Sequence, residues 1–241
     1  MRWRLSPHLS AVAVTCAALL AVAIFIRLGF WQWHRGAEGQ REWQRFARGA
    51  EEVRTLGSEA LASVPLYQRV SVTGTLDEKH QFLLDNRSYQ GRPGYEVLTP
   101  LRRAADLTLL VDRGWVPFSG SRAQLPRISL DTDVPVTLTG RSGLLPSAGL
   151  ALGHAPPGGA WPKVTAFPSM AELAGALGNA LEPRILLLDP AAPHGYVRDW
   201  QPPGMSPLRH FSYAIQWWSF AALVLLVWVV MAVRSKRGGP P

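Results

Sequence analysis

Two apolar runs, one near each end, limit the fold of this chain more than any other feature. Leu9 to Phe30 is a stretch of 22 residues whose only charge, Arg27, lies near its far end. At about 1.5 Å per residue, such a run covers a bilayer core of about 30 Å. Phe211 to Val233 forms a second run of similar length without any charge. The first run passes into "RLGFWQW", which lacks the small-residue cleavage pattern of a secretory signal, so the run is expected to be retained. Arg27 can snorkel toward headgroups, and Trp31, Trp33, Trp217 and Trp218 suit aromatic belts at a membrane surface. The expectation is two transmembrane helices.

Between the runs lie roughly 175 residues, enough for one domain with its own core. The formal charge of +8 raises the question of nucleic acid. Its distribution argues against that partner. All 17 acidic residues and 19 of the 25 basic ones fall between Trp31 and His210, leaving the middle only +2. The surplus sits on Arg2, Arg4, Arg27, Arg234, Lys236 and Arg237, where it acts as a topology signal. Basic tails favour both termini in the cytoplasm and the domain outside. Arg35, Arg41, Arg45 and Arg48 oppose this, but a long loop crosses largely regardless of charge. The layout expected is a cytoplasmic tail at 1–8, helices at 9–30 and 210–233, an extracytoplasmic domain at 31–209, and a cytoplasmic tail at 234–241. The one cysteine, Cys16, lies in the first run, so the domain has neither a disulfide nor a cysteine metal site.

After the first run, "HRGAEGQREWQRFARGAEEV" is polar, with Trp43 and Phe46 at helical spacing, and extends the helix. The period then changes. "YQRVSVTGTL", "HQFLLDN", "YEVLTPL", "LTLLVDRGW" and "VPVTLTGRSG" are short, rich in Val, Leu, Thr and aromatics, and punctuated by turn residues. They indicate antiparallel strands. "SMAELAGALG" has a Ser cap, Glu172 three residues later and a closing Gly, so it is a short helix. "PRILLLD" is another buried strand. Eleven prolines fall between Pro146 and Pro207, and "HAPPGGAWP" is expected to be loop. The fold class is a membrane protein in which two transmembrane helices bracket one β-rich, barrel-like domain with a few short helices.

No enzyme motif is present: there is no H-E-x-x-H, G-x-S-x-G, P-loop or C-x-x-C. The expectation is a protein that is not an enzyme. Asp85, Glu96 and Asp112 have the chemistry of acid–base groups, but their spacing gives no reason to pair them, and carboxylates beside turns usually cap or solvate. In "DNRSYQGRPGYEVLTPL", Gly91 and Pro93-Gly94 demand a tight reversal, and Gly94 is expected to need a backbone conformation costly for other residues. The plain account of this stretch is a hairpin with a basic tip. The functional one has Arg87, Arg92 and Arg113 converge on an acidic group, which the arginine fork grips in bidentate fashion. In the helices, Ala13, Ala17, Ala21, Phe25, Gly29 and Trp33 recur every four residues as a stripe for close packing. Gly29, Gln32, Trp33 and Gly36 are expected on one face at the outer end, with His210, Tyr213, Ala214, Trp217, Ala221 and Val224 facing them. This box of imidazole, phenol, amide and indole is either an interfacial anchor or a site for an amphipathic ligand, with neutral His210 offering a lone pair to iron.

Taken together, "LGFWQWHR", "GRPGYEVLTPL", "VDRGWVP", "GRSGLLP" and "RHFSYAIQWWSFA" resemble, in order and place, the surfeit-locus family of cytochrome c oxidase assembly factors. The resemblance covers nearly the whole chain. It implies a multi-pass protein of the bacterial inner membrane with a periplasmic domain, supplying or inserting haem a into the oxidase's catalytic subunit. Its implied partners are that subunit, haem a synthase and membrane lipid, and no nucleic acid. The family's haem-associated histidine maps onto His210, with His34 a weaker second candidate. The ligand set is then His210, Tyr213, Trp217 and Gln32, with Arg92 and Arg113 for propionates. A haem-free chaperone for the nascent subunit is the alternative, and a membrane-anchored sensor or hydrolase is disfavoured by the lack of a motif and the short tails.

Overall fold

The computed structural model describes residues 7–103, 108–130, 134–146 and 155–237, with side chains of the two terminal helices described from 11 onward and up to 235. Arg2, Arg4, Lys236 and Arg237, the source of most of the expected topology signal, lie outside the described side chains, as does His154 of the expected proline-rich loop. Two compact units result. One joins the chain through Trp43 to the chain from Gly204 onward, and the other is Gln44–Pro203.

The first unit holds two helices, α1 (Pro7–Arg48) and α3 (Pro207–Arg237), both long and apolar enough to cross a membrane. Residues 44–48 of α1 belong to the second unit, so the helix runs unbroken past the expected boundary at residue 30. The expected four-residue stripe coincides with the packing seam only in its middle. On α1, Thr15, Ala18, Val22, Phe25, Gly29, Gln32, Gly36 and Gly39, three and four residues apart in turn, are covered at least in part, as are Ala21, Leu28 and Ala37 beside them; of the expected stripe Ala21, Phe25 and Gly29 are covered, while Ala13, Ala17 and Trp33 are exposed. The reason is geometric. A step of four residues overshoots one helical turn by about 40°, so five such steps leave the original face, whereas a 3–4 alternation stays on it. On α3 the matching seam is Pro207, His210, Ala214, Trp217, Ala221, Val224 and Trp228. Small residues on α1 receive large ones on α3. A Cβ on Gly29 would overlap the Trp218 indole, and one on Gly36 would overlap the Phe211 ring. Phe25 stacks on Trp217 at 5.6 Å and Trp33 tilts against Phe211 at 4.9 Å. Near the opposite end of the pair, Trp228 Nε1 donates to Thr15 Oγ1 at 3.2 Å.

The second unit is built on β1 (Val53–Leu56), β2 (Arg69–Leu76), β3 (Phe82–Tyr89), β4 (Arg92–Arg102), β5 (Thr108–Pro117), β6 (Val136–Gly143), β7 (Ala155–Gly158), β8 (Lys163–Ala166), α2 (Met170–Leu177) and β9 (Leu181–Leu188). Strands β2, β6, β9, β5 and β4 pair in that order, and β4 returns to β2 through Thr75↔Arg102 and Leu76↔Leu101. These five strands therefore close as a barrel, and the sheet keeps edges only at β1 and β7, where it extends beyond the closure. Alternation explains the lining. Val70, Val72 and Leu76 of β2 meet Leu101, Leu109, Val111, Leu138, Leu186 and Leu188 inside. The other face of β4, β5 and β9 is also covered, because Leu98, Leu110 and Ile185 pack with Leu173 of α2. Burial on both faces is why these strands read as nearly continuous apolar runs. Helix α2 starts at Ser169 with a reciprocal Ser169–Glu172 capping box and stops at Gly178 in the left-handed region.

Two expectations are corrected. The strands are not all antiparallel: β1–β2, β3–β8 and β5–β9 pair in parallel. Part of "HAPPGGAWP" is strand β7, paired antiparallel with β8 at Ala155↔Ala166 and Gly158↔Val164. Its two prolines are tolerated because β7 is the outermost strand of the sheet, where missing donors leave no partner unpaired.

Candidate functional sites

In the helix pair, Gln32 and His210 meet across the seam, with His210 Nδ1 2.8 Å from Gln32 Oε1. A carbonyl oxygen accepts, so Nδ1 donates, and in the neutral ring the lone pair is then on Nε2. Both residues are only half-buried, so the imidazole is fixed on one side and reachable on the other. Trp217, one helical turn beyond Tyr213, is held by its stack on Phe25 and by Phe220 at 5.9 Å. Tyr213 itself is 44% exposed and lies off the seam, on the flank of α3 beside His210. His34 is exposed on α1 and shares no bond with His210 among the described residues. Of the expected box, the structure thus joins Gln32 to His210 and Trp217 to Phe25, and leaves Tyr213 outside the packing.

In the barrel unit, Arg87, Arg92 and Arg113 do not converge. Arg92 is exposed at the tip of the β3–β4 hairpin, whose turn uses Gln90 and Gly91 at φ 49° and 76°. Arg113 points inward and is 2% exposed. Its Nε donates to His194 O at 2.6 Å and its Nη1 to Gln81 Oε1 at 2.9 Å, while its carbon lies 4.9 Å over the Tyr196 ring. Gln81 in turn accepts from Thr99 Oγ1 at 2.8 Å. Burial pulls the Arg113 guanidinium below its usual range, with Tyr196 opposing. This arginine ties the 190s segment to the barrel and is closed to any carboxylate ligand.

Arg87 has a different setting. Its Nε lies 3.1 Å from Glu96 Oε2, and its guanidinium lies over the Phe167 ring at 5.1 Å. Two irregularities place these groups together. The β3–β4 register shifts between Leu84 and Arg87, with Asn86 at φ 61°, and the β4–β5 register shifts between Glu96 and Leu98, with Gly114 at φ 103°. Such bulges re-aim side chains. As a result Arg87, Glu96, Asp112 and Trp115, drawn from three neighbouring strands, share one face. Sequence alone did not reveal this grouping, because regular alternation would have put Asp112 and Trp115 on opposite faces. The signals present were Gly114 and the Asn86 turn, which mark bulges only once the strands are paired.

Two membrane-length helices with an imidazole–amide pair on their seam, set on either side in sequence of a closed five-stranded barrel, define a class of barrel proteins bracketed by long apolar helices. The SURF1 family model matches residues 19–222, and the chain belongs to that family. It is 30% identical over 199 residues to a SURF1-like protein of Monosiga brevicollis, covering 72% of this chain and 68% of that one. It is also 29% identical over 253 residues to an uncharacterized SURF1-like protein of Mycobacterium tuberculosis, covering 98% and 90% of the two chains. A SURF1-like protein of Rickettsia felis is 33% identical over 99 residues, or 40% and 43% of the two chains. The family is linked to cytochrome c oxidase assembly.

Proposed function

We propose that this protein is a membrane-embedded assembly factor that binds haem a and passes it to the catalytic subunit of cytochrome c oxidase, with His210 as the side chain that would hold its iron. The observation that carries the reading is the His210–Gln32 bond, which fixes the tautomer that leaves Nε2 free to coordinate. The donor set suits a metal that brings its own ligands. Among the described residues no three His, Cys, Asp or Glu gather as a bare ion would require, whereas a macrocycle needs only one protein imidazole here. When bound, haem supplies iron for that imidazole and an apolar surface for the aromatic side chains. Gln32 orients His210, and Trp217, buttressed by Phe25, walls the seam below it. In this reading α1 and α3 span the inner membrane, the barrel faces the periplasm and both termini are cytoplasmic.

The test is haem per protein, by pyridine hemochrome, on full-length protein purified in detergent from cells that make haem a. His210→Ala is expected to lose most of the haem at unchanged protein level, and His34→Ala to keep it. Haem content unchanged in His210→Ala would overturn ligation by this residue and favour a haem-free chaperone.

A further inference from the structure

Among the described residues, five buried side-chain polar atoms make no hydrogen bond, and all belong to the bulge-built face: Arg87 Nε and Glu96 Oε2, which face each other only as an ion pair at 3.1 Å, and Arg87 Nη2, Asp112 Oδ2 and Trp115 Nε1, which have no polar partner. Native proteins leave few such atoms, and an uncompensated buried carboxylate is among the costliest. Asp112 is 1% exposed, and the bond it accepts, at Oδ1 from Gly114 N at 3.0 Å, leaves Oδ2 unmatched. Glu96 sits diagonally across the β4–β5 pair, since Glu96 opposes Trp115 and Leu98 opposes Asp112. Two full carboxylates against one guanidinium would leave a net negative charge buried between strands. One proton on the pair makes the cluster neutral and turns one orphan oxygen into a donor for another.

We infer that Glu96 and Asp112 hold a single proton between them, and that this proton, together with Arg87, latches the bulged β3–β4 hairpin to β5. The groups around the pair agree. Arg87 on β3 is ion-paired with Glu96, β9 opposes Asp112 with Leu187, and Trp115 and Phe167 supply apolar walls. Burial pushes the Asp112 carboxyl well up from its usual range, with the charge of Glu96 adding to the push. Burial also raises Glu96, against the opposing pull of Arg87. Because the two groups share one site, the proton belongs to the pair. On the hairpin side, a cleft of about 410 Å³ is lined by Arg87 and Gly94 together with the Asp85–Arg122 ion pair, and neither Glu96 nor Asp112 lines it. This inference is independent of haem binding.

The sign of the pH dependence follows. The folded pair keeps a proton that the unfolded carboxylates release, so the native state binds more protons and stability falls as pH rises. The latch is complete below the ordinary carboxylate range and is lost as pH rises through the raised folded value. The experiment is infrared difference spectroscopy at neutral pH on the full chain in a detergent without ester carbonyls, comparing the native protein with Asp112→Asn and Glu96→Gln. A protonated-carboxyl C=O band that shifts in heavy water and is lost in either variant is the expected result, and one folded variant suffices. Absence of that band from the native protein overturns the inference, whatever the variants do. Hydrogen exchange then reads the latch. Beyond the intrinsic base-catalysed rise, amides of residues 87–97 should exchange faster with rising pH in the native protein and not in Asp112→Asn; identical pH profiles overturn the latch.

Discussion

Arg113 and Arg87 come from two neighbouring motif stretches, both sit within the barrel unit, and the structure treats them oppositely. Arg113 spends its donors on carbonyls, an amide and a phenol and stacks on Tyr196. Arg87 keeps two buried nitrogens without a hydrogen bond and faces two carboxyls. A saturated buried arginine is a structural rivet, because each partner is satisfied and nothing remains for a ligand. An unsaturated one beside paired acids is a place where protonation can change the structure. The difference lies in the strands that carry them. Arg113 lies on the face that regular alternation directs inward with Val111 and Leu109. Arg87 lies beyond a bulge that turns it toward groups from two other strands.

The largest expected effect comes from removing the wall behind the Arg87 cluster. A Cβ on Gly94 would overlap the carbonyl oxygen of Val116 and the Trp115 indole nitrogen. Backbone cannot yield as a flexible side chain can, so Gly94→Val should cost more than about 4 kcal/mol and leave little folded domain. The yield of protease-resistant 44–203 fragment from the full chain measures it. Gly91→Ala has open space but a φ of 76°, so it should cost only about 1–2 kcal/mol. Equal losses from the two would show that the turn, and not the Trp115 wall, sets the hairpin.

Next is the contrast of the arginines themselves. Arg113→Met leaves the His194 carbonyl without its donor and takes one of two donors from Gln81 Oε1, which keeps Thr99, and it should cost roughly 2–3 kcal/mol with little pH dependence. Arg87→Met removes a cation that makes few hydrogen bonds, so its cost at mildly acidic pH should be smaller, roughly 1 kcal/mol. Its cost should grow as pH rises. Arg87 lowers both carboxyls, so without it the folded pair holds protons more tightly and the native state binds still more than the unfolded one. Denaturant midpoints at a series of pH values distinguish the two variants; parallel pH curves would show that the two arginines act alike.

What the sequence made legible follows the same division. Strands β2 to β6, strand β9 and the α2 capping box were readable because alternation, apolar runs and turn residues are local properties. The parallel pairings and the barrel closure depend on contacts distant in sequence. Strand β7 was hidden by Pro156 and Pro157, which only an outermost strand accommodates. Gly94 was correctly singled out as special, but for space and not for backbone conformation: Gly91 has the positive φ. Glu96 and Asp112 could be named as acids, yet their pairing depends on two bulges that reset which face each residue occupies. On the helices, Gln32 and His210 were expected on facing surfaces and do meet. Tyr213 was grouped with them because three residues is nearly one turn, and the remaining 60° or so is enough to carry it off the seam.

The smallest effect belongs to the third arginine of the set. Arg92 lies one residue past the Gln90–Gly91 turn, at the start of β4 and opposite Tyr89. It is exposed, and neither a hydrogen bond nor an ion pair links it to another side chain among the described residues. Removing a solvated cation there leaves nothing buried unpaired, so Arg92→Ala should change stability by no more than about 0.5 kcal/mol at any pH. That silence gives the variant its use. Arg113→Met and Arg87→Met alter the fold or its pH dependence, so a loss of oxidase assembly in either has two explanations. A loss in Arg92→Ala has one, because contact with something outside the barrel unit is all that the side chain can supply. We expect its denaturation midpoint to match the native protein while oxidase haem content, measured in cells carrying the variant, falls if the hairpin tip meets a partner. A destabilised Arg92→Ala would show instead that the tip is part of the same latch as Arg87, and the gradient from rivet to switch to free charge would fail at its last step.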